Sequence, residues 1–311
     1  MMVILSNEDS VQQLFFLRIT MEIRQLDHFV AVAEEESFTR AARRLSYVQS
    51  ALSVSIQSLE RELGVRLFDR TTHRVSLTDA GEALLSSARQ TLASVERTLD
   101  VAAALKGMLR GTLRVGIMQS FTFLDIADLL GRFHRQHPDV DIQVRPSAGG
   151  SVALVEELKR GGLDIAFVSL MDTPAGVTTT ELGVEDLHLV GRPELLPARR
   201  ARIELSDLAN ATFVDFPAGW GVRVAVDRAF AAAGVSRRVT IEVADVNTSL
   251  GLLGAGLGVA LLPRSLLQGD DRLQTRRLAS PFSWRVVMAV LRDQPTRATA
   301  RAFMDLVTAS R

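Results

Sequence analysis

The chain contains no cysteine, and its 36 lysines and arginines are balanced by 36 acidic residues. The lack of cysteine excludes disulfide bonds and thiol chemistry, and it fits a reducing compartment such as the cytoplasm. The lack of net charge means that the whole chain does not carry the basic excess typical of nucleic-acid-binding proteins. No apolar run reaches the roughly 20 residues of a membrane span, so no membrane partner is expected.

What the chain does contain, near its start, is a helical pattern followed by a short hairpin pattern. The spacing of apolar residues predicts helices at Ile23–Glu35, at a short segment capped by Ser37 or Thr39, and at Gln49–Leu63. In the last of these the apolar stripe is formed by Ala51, Leu52, Ile56, Leu59 and Leu63. Gly64 is placed to end that helix in a left-handed conformation, and residues 65–68 and 74–77 are predicted as two strands. This order of elements predicts a winged helix-turn-helix.

Small polar residues lie along the other side of the third helix, namely Gln49, Ser50, Ser53 and Gln57. Serine and glutamine can donate to and accept from base edges without excluding a helix from the major groove of DNA. An ordinary solvated helix face would present the same stripe. Arg70 and Arg74 favour the DNA interpretation, because a wing would place them near phosphates or a minor groove.

Three motifs in this region keep a fixed order and spacing: SFTRAA, then QSALSVSIQSLERELGVRLF, then LTDAG. Over residues 22–85 the chain thereby resembles the DNA-binding region of LysR-type transcriptional regulators. The resemblance implies that Thr39 and Arg40 contact the DNA backbone, that Gln49, Ser50, Ser53 and Gln57 face the groove, and that Arg70, Thr72 and Arg74 form the wing. The chain departs from the family at Ser50, where proline is common, and at Val54, where a basic residue is common. Val54 cannot bond a guanine but can pack against a thymine methyl group.

Charge within residues 21–78 is balanced as well, with eight arginines against eight acidic residues. The acids cluster at residues 34–36 and at Glu60 and Glu62. The arginines expected around the contact face are Arg40, Arg43, Arg44, Arg70 and Arg74. A DNA-binding patch would therefore depend on separation of charge within the domain. Affinity is expected to be salt-sensitive and modest for each half-site, which favours a dimer.

A long helix is predicted to begin at Asp79. Apolar residues recur along it at spacings of three and four, as in the seam of a coiled coil: Leu85, Ala88, Leu92, Val95, Leu99 and Ala102. A core helix within one chain is the competing interpretation. The pattern and the resemblance both favour a dimerisation helix over residues 79–106, followed by a hinge at 107–112 that contains two glycines. Residues 1–20 precede the resemblance and are interpreted as a non-conserved extension.

From Leu113 onward, strands and helices alternate as in an α/β domain. Apolar strands at 113–117, 142–144 and 163–168 predict a parallel sheet covered on both faces. A second set of elements is predicted from near Asp186, so that lobe I would hold residues 113–185 and 280–311 and lobe II residues 186–279. The segments EELKRGGLDIAFV, TFVDFPAGWG and GLLGAGLGVALLP resemble the two-lobed effector domain of the same family and, behind it, the periplasmic binding-protein fold.

The cleft between the two lobes is the expected effector site. Its expected lining residues are Gln119, Ser120, Phe121, Gly149, Ser151, Ser169, Phe216, Trp220, Asn247 and Thr248. Helix N-termini near Ser120, Ser151 and Thr248 would offer N–H groups to an anion, which favours a carboxylate effector. Phe121, Phe216 and Trp220 would either cover an apolar ligand body or serve as structural packing.

Enzyme motifs are incomplete in this sequence. Val259 stands where the dinucleotide fingerprint needs its third glycine, so GAGLG at residues 254–258 is interpreted as helix-to-strand packing. His134 and His137 lack a Glu or Cys that would complete a metal-ligand set, and no cofactor or enzymatic activity is expected.

The sequence therefore predicts a sequence-specific DNA-binding transcriptional regulator controlled by a small-molecule effector. Its expected partners are double-stranded promoter DNA, the effector and further copies in a homodimer or homotetramer, with RNA polymerase as a further candidate. The alternative is a small-molecule binding or transport component with no role at DNA. An enzyme built on the two-lobed domain is a third, more distant alternative.

Overall fold

The computed structural model describes residues 21–70, 75–104, 109–118, 123–197, 202–267, 270–292 and 296–310. The chain divides into two compact units, Met1–Ser94 and Val95–Arg311, called unit 1 and unit 2 below. Several predicted positions fall outside the described part of the chain: the extension 1–20, the side chain of Arg70, and Thr72, Arg74, Gln119, Ser120 and Phe121. No helix among the described residues is both long enough and apolar enough to cross a bilayer.

Unit 1 contains a three-helix core and a hairpin. Its elements are α1 (Ile23–Glu35), α2 (Phe38–Arg44), α3 (Gln49–Leu63), β1 (Phe68–Arg70), β2 (Val75–Leu77) and the first part of α4 (Asp79–Ala104). Ser37 caps α2, because its hydroxyl oxygen accepts from the Arg40 N–H at 3.3 Å. Ser46 turns the chain between α2 and α3 with a φ of 51°, and Gly64 ends α3 in the predicted left-handed conformation with a φ of 70°. The predicted bounds of α1 and α3 are confirmed.

Two details of the prediction for unit 1 are wrong. Ala51 and Leu63 are exposed, because three buried positions of α3, Leu52, Ile56 and Leu59, are enough to close this small core. Residues 65–67 are not part of a strand. There the Glu60 carboxylate accepts from the N–H groups of residues 67 and 68, at 2.8 and 3.3 Å, and a side chain of α3 takes the place of a partner strand.

The long helix α4 does not present one uniform seam. Leu85, Ala88 and Leu92 pack against the core of unit 1, as the competing interpretation of a core helix required. Leu99, about two turns after Leu92, is 65% exposed. Of the predicted dimer seam, only the part beyond Leu92 is therefore left for contact with another chain. In unit 2 the same helix carries Glu96, which accepts two hydrogen bonds from the Arg114 guanidinium at 3.0 and 3.1 Å.

Lobe I of unit 2 is built on parallel strands, as predicted. It contains β3 (Gly111–Ile117), α5 (Ile126–Gln136), β4 (Val140–Pro146), α6 (Gly150–Lys159) and β5 (Ile165–Ser169), with β11 (Ser283–Leu291) and α9 (Ala298–Ala309) returning from the end of the chain. Strand β3 pairs in parallel with both β4 and β5. Strand β11 then adds to β5 in the antiparallel direction. Every residue of β5 is buried, which is why its apolar run was readable in the sequence.

Lobe II is smaller and mainly antiparallel. It contains β7 (Thr212–Asp215), α7 (Gly221–Ala232), β8 (Arg238–Glu242), α8 (Val246–Gly254), β9 (Ala260–Pro263) and β10 (Gln274–Arg276). Strands β9 and β10 both pair with the end of β6 (Val177–Gly191), and β7 pairs in parallel with β8. A Cβ atom on Gly258 would lie 2.4 Å from the Thr212 carbonyl oxygen, so this glycine serves the close packing predicted for the GAGLG segment.

Strand β6 corrects the predicted topology. The sequence predicted a second set of elements only from near Asp186, whereas β6 is a single strand of 15 residues that begins at Val177. Its first part alternates exposed and half-buried polar residues instead of forming an apolar run, and so it resembles a loop. Residues 177–186 pair antiparallel with β11, and residues 187–191 pair with β9 and β10. The sheet is therefore mixed, and β6 passes from lobe I into lobe II.

Candidate DNA-binding surface and ligand cleft

The exposed side of α3 holds the residues predicted to face a DNA groove. Gln49, Ser50, Val54 and Gln57 are exposed, and Ser53 is half-buried between them. Their spacing places them on one face of the helix, opposite the buried stripe. Val54 is 63% exposed, although it is apolar. This surface is available to a partner without any rearrangement of the core of unit 1.

The charge around this face differs from the prediction. Thr39, Arg40 and Arg43 are exposed on α2. Arg40 lies 3.5 Å from a carboxylate oxygen of Glu35, and Arg44 pairs with Glu34 and Glu35 at 2.8 and 3.5 Å. The expected separation of acids from these two arginines is wrong, because the end of α1 lies beside α2. Among the described residues no carboxylate lies within 4.0 Å of the Arg43 guanidinium.

Glu34 is the centre of a charged cluster in unit 1. Besides Arg44, its carboxylate accepts from Arg89 of α4 at 2.9 Å. Burial alone would raise the pKa of Glu34, but the hydrogen bond from Arg44 and the charge of Arg89 outweigh burial and lower that pKa below its usual value. Glu34 thus stays ionised near neutral pH and joins α1, α2 and α4.

A cavity in unit 2 lies where the carboxyl ends of the lobe I strands meet lobe II. It measures about 380 Å³, a volume that includes its open mouth. The lining residues are Met118, Ser147, Gly150, Ser151, Phe216, Trp220, Gly221, Val222, Leu266 and Trp284. Ser151, Phe216 and Trp220 were predicted from the sequence. The lining is mostly apolar, and its described residues include no charged side chain.

The polar end of the cavity is at the start of α6. Ser151 is buried, and its oxygen accepts from the Ser169 N–H at 2.9 Å, which leaves the serine hydroxyl hydrogen available to donate. No side chain caps the N-terminus of α6, where Gly149 is the capping residue. Ser169 therefore contacts Ser151 and Gly149 precedes α6, but neither residue lines the cavity.

The aromatic side of the cavity is formed by two stacked rings. Phe216 and Trp220 lie 5.0 Å apart at 15° between ring planes, and the Trp220 indole N–H donates to the Ala148 carbonyl oxygen at 3.0 Å. A Cβ atom on Gly150 would lie 2.7 Å from the Trp220 ring, so this approach requires glycine. The two aromatics are packed in the core of unit 2 and also form a wall of the cavity. The packing role is observed, and cover of an apolar ligand stays a prediction.

A buried ion pair fixes the segment that carries these rings. Asp215 pairs with Arg237, and both side chains are at most 8% exposed. Asp215 also accepts from the Phe216 N–H at 2.7 Å, and Arg223 donates to the Phe216 carbonyl oxygen at 2.9 Å. Burial raises the pKa of Asp215, although the charge of Arg237 opposes the shift.

Asn247 and Thr248 do not reach the cavity. Both are exposed, and neither belongs to the lining. The Thr248 N–H donates to the Asp245 carboxylate at 2.6 Å, so the start of α8 already holds an anionic group. The expected anion site at this helix terminus is therefore wrong.

Sequence reasoning missed several lining residues. Met118 directly follows β3, so the rule that ligands bind at the carboxyl ends of strands would have found it. Leu266 and Trp284 come from distant parts of the chain, and no local pattern marks them. Gly221 begins α7 so close to lobe I that a Cβ atom would lie 2.3 Å from the Ser169 Cβ.

Comparison with known proteins covers both units. Residues 23–82 match the model of the bacterial regulatory helix-turn-helix proteins of the lysR family, and residues 106–311 match the LysR substrate binding domain. The HTH-type transcriptional regulator ShiR of Corynebacterium glutamicum (strain R) is 36% identical, with 78% of this chain and 82% of ShiR covered.

Two solved structures are similar over nearly the whole chain. Full-length OxyR from Pseudomonas aeruginosa, in a variant form, gives a TM-score of 0.71 at 26% identity, covering 93% of this chain and 94% of OxyR. Full-length CbnR in complex with its target DNA gives a TM-score of 0.62 at 26% identity, covering 94% of this chain and 100% of CbnR.

Proposed function

Because the chain belongs to the LysR family of transcriptional regulators, we propose that α3 reads the DNA and that the cavity of unit 2 receives the effector. The chain is a DNA-binding transcriptional regulator with an effector-binding domain, as both matched family domains indicate. Relatives of this kind are transcriptional regulators, and no enzymatic activity is proposed. The alternative of a transport component with no role at DNA has no support among these relatives.

The observation that supports DNA reading is the exposed face of α3. Gln49, Ser50, Ser53 and Gln57 are proposed to meet base edges, with Thr39, Arg40 and Arg43 on the phosphates beside them. Arg70, Thr72 and Arg74 remain the proposed wing contacts. Val54 stands on the groove face without a polar group and is proposed to pack against a thymine methyl.

A footprint upstream of the chain's own gene tests this assignment. We expect protection of an interrupted palindrome, and within each half-site one thymine whose replacement by uracil weakens binding, because uracil lacks the methyl group. Val54→Ala should make the protein indifferent to that replacement. If the variant and the native chain respond equally to uracil at every thymine, the role of Val54 is refuted.

For the effector we propose a small carboxylate with an apolar body. Three features of the cavity support this: the apolar lining, the hydroxyl of Ser151 and the uncapped N-terminus of α6. The Gly150 and Val152 N–H groups already donate to the Ser147 and Gly219 carbonyl oxygens, at 3.3 and 3.4 Å. The positive end of the helix dipole favours a negative group at that end. An effector acting through thiol oxidation is excluded, because the chain has no cysteine.

A thermal-shift screen of the full chain tests the effector class. Small aromatic and aliphatic carboxylates should stabilise unit 2, and the matching primary amides should do so less, since they lack the charge. Ser151→Ala should reduce the shift, whereas Thr248→Val should leave it unchanged, because Thr248 lies outside the cavity. Equal shifts from carboxylates and amides would contradict the proposed anionic group.

We further propose that the chain forms a homodimer or homotetramer through the later part of α4, where Leu99 is exposed. Residues 21–78 would form the DNA-binding domain, 79–106 the linker, 107–112 the hinge and 113–311 the effector domain. The effector would act by unequal affinity for two arrangements of the subunits. A reader of promoter DNA works in the compartment of the chromosome, and cytoplasm is the proposed localisation. Sedimentation of Leu99→Asp should show loss of the dimer.

A further inference from the structure

A second cavity lies in lobe II and shares no lining residue with the effector cavity. It measures about 880 Å³, counting its mouth. Its lining residues are Asp186, Leu187, His188, Arg202, Arg277, Leu278, Ala279 and Pro281. Leu187 and Leu278 are almost fully buried, whereas Arg202 and Arg277 are exposed. We call this cavity the lobe II pocket.

The backbone holds the two arginines of the lobe II pocket side by side. Ile203 and Leu278 form a parallel bridge, in which the Ile203 N–H donates to the Arg277 carbonyl oxygen at 3.3 Å and the Ala279 N–H donates to the Ile203 carbonyl oxygen at 2.8 Å. Arg202 and Arg277 each precede a bridged residue. Because side chains alternate along extended chains, the two arginines lie on the face opposite the buried Ile203 and Leu278.

The two arginines of the lobe II pocket have no carboxylate partner among the described residues. Among the described residues, no carboxylate lies within 4.0 Å of either guanidinium, whereas Arg223, Arg237 and Arg272 of the same lobe all have such partners. The acidic lining residue, Asp186, accepts a hydrogen bond from Ser283 at 2.9 Å. Like charges on neighbouring strands repel, and an anion between them removes that repulsion.

His188 adds a third polar group to the lobe II pocket. Its Nδ1 atom lies 3.1 Å from the Asp186 carbonyl oxygen. A carbonyl oxygen can only accept, so Nδ1 must carry the hydrogen, and Nε2 is the ring nitrogen left for a ligand. Two guanidinium groups and one imidazole thus line the same pocket.

We propose that the lobe II pocket binds a small metabolite through an oxyanion group, either phosphate or carboxylate. Two planar guanidinium groups can each donate two hydrogen bonds to such a group. The concave shape and the volume suit a small molecule and do not suit the backbone of a DNA duplex. This site is separate from the proposed effector site and does not depend on it.

Calorimetric titration of the full chain, without DNA and at constant ionic strength, tests the proposal. The probes are inorganic phosphate and citrate. At least one of them should bind saturably, and Arg202→Ala and Arg277→Ala should each weaken that binding about tenfold or more, the usual effect of losing hydrogen bonds to a charged group. Arg277→Lys keeps the charge but loses the paired donors, and its affinity should lie between those of the native chain and Arg277→Ala.

The matched control is Arg238→Ala, which removes another exposed lobe II arginine that does not line the pocket. It should bind both probes like the native chain. Binding of phosphate alone or of citrate alone supports the site and identifies its oxyanion class. Absence of saturable binding, or equal weakening by Arg238→Ala, overturns the proposal. A further outcome is that a short DNA duplex displaces the bound probe from the native chain and no longer binds to Arg277→Ala. That result would also overturn the proposal, because the pocket would then recognise DNA phosphates.

Discussion

The recognition face of α3 and the cavity of unit 2 place their functional side chains in opposite surroundings. Val54 is 63% exposed and Gln57 also faces solvent, whereas Ser151 and Trp220 are at most 7% exposed. A helix that enters a DNA groove must present its side chains before the partner arrives, but a small ligand has to be enclosed. We therefore expect changes on α3 to alter affinity alone, and changes in the cavity to alter stability as well.

The two tryptophans of the chain, Trp220 and Trp284, are in unit 2, and its single tyrosine, Tyr47, is in unit 1. Intrinsic fluorescence can therefore follow the unfolding of each unit separately. Trp284 thus reports on the unit with the enclosed site, and Tyr47 reports on the unit with the exposed site.

The largest effect is expected for Trp220→Ala. It removes the stack on Phe216 and the hydrogen bond to the Ala148 carbonyl oxygen, and it leaves a cavity in lobe II. The free energy of unfolding of unit 2, followed by Trp284 fluorescence, should fall by about 3–5 kcal/mol. Trp220→Phe keeps much of the stack and should lose less. An equal loss in the Tyr47 signal would show that the two units do not respond separately.

Gly221→Ala tests how tightly the cavity is enclosed. The added Cβ atom would lie 2.3 Å from the Ser169 Cβ, so the variant should lose about 1–3 kcal/mol of stability in unit 2 through overpacking. The control is Gly251→Ala in α8, where no atom lies within 4 Å of the added Cβ. That control should be neutral or stabilising, and urea unfolding of both variants provides the comparison. Equal stability of Gly221→Ala and the native chain would contradict the enclosed arrangement.

Gln57→Ala tests the exposed recognition face of α3, as Gly221→Ala tests the enclosed cavity. Its specific DNA binding should weaken by about 1–3 kcal/mol, the usual contribution of a base contact, while the thermal unfolding of unit 1 stays unchanged. Gln90→Ala makes the same replacement at an exposed position of α4 and should bind DNA normally. Fluorescence anisotropy with a labelled operator measures both. A loss of stability in Gln57→Ala would break the contrast drawn above.

Arg43 and Arg44 differ in their partners, and we expect them to differ in their salt dependence. Arg43→Ala should reduce the slope of the logarithm of affinity against the logarithm of salt concentration by about 1, because one phosphate contact is lost. Arg44→Ala should reduce it less, since Arg44 already pairs with Glu34. Titrations at several salt concentrations provide the test, and a slope for Arg43→Ala equal to that of the native chain would refute a phosphate contact by Arg43.

The smallest effect is expected from pH. His28 is buried beside Tyr47 and shares a hydrogen bond with Ser55 at 2.7 Å, and burial lowers the pKa of its ring. The neutral ring therefore stabilises unit 1 above the unfolded-state pKa of about 6.5, and this stability is lost as the pH falls through the lower folded-state pKa. His28→Gln should flatten that part of the pH profile of the Tyr47 transition. His134→Gln, at an exposed position in unit 2, should leave it unchanged.

The same contrast explains which site residues could be predicted from the sequence alone. The recognition face lies on one helix, so periodicity and a capping glycine were enough to predict α3 and its exposed residues. The cavity draws on residues from Met118 to Trp284, which only the folded sheet brings together. Ser151, Phe216 and Trp220 were predictable because they begin helices or follow strands, whereas Leu266 and Trp284 carry no such local mark.

Two other failures of prediction have the same physical origin. The pairing of Arg40 and Arg44 with Glu34 and Glu35 depends on how α1 packs beside α2, which a count of charges does not contain. Strand β6 is solvated along much of its first part, and its polar alternation concealed a strand that extends through both lobes.

A single titration shows whether α3 places Gln49 and Gln57 into a DNA duplex. The full chain is titrated at low ionic strength against a pool of promoter fragments, with and without small metabolites from a cell extract. We predict saturable binding of a subset of fragments that disappears in the Gln49→Ala, Gln57→Ala double variant while the fold of unit 1 is kept. Failure of the native chain to bind any fragment under either condition would show that α3 does not read DNA.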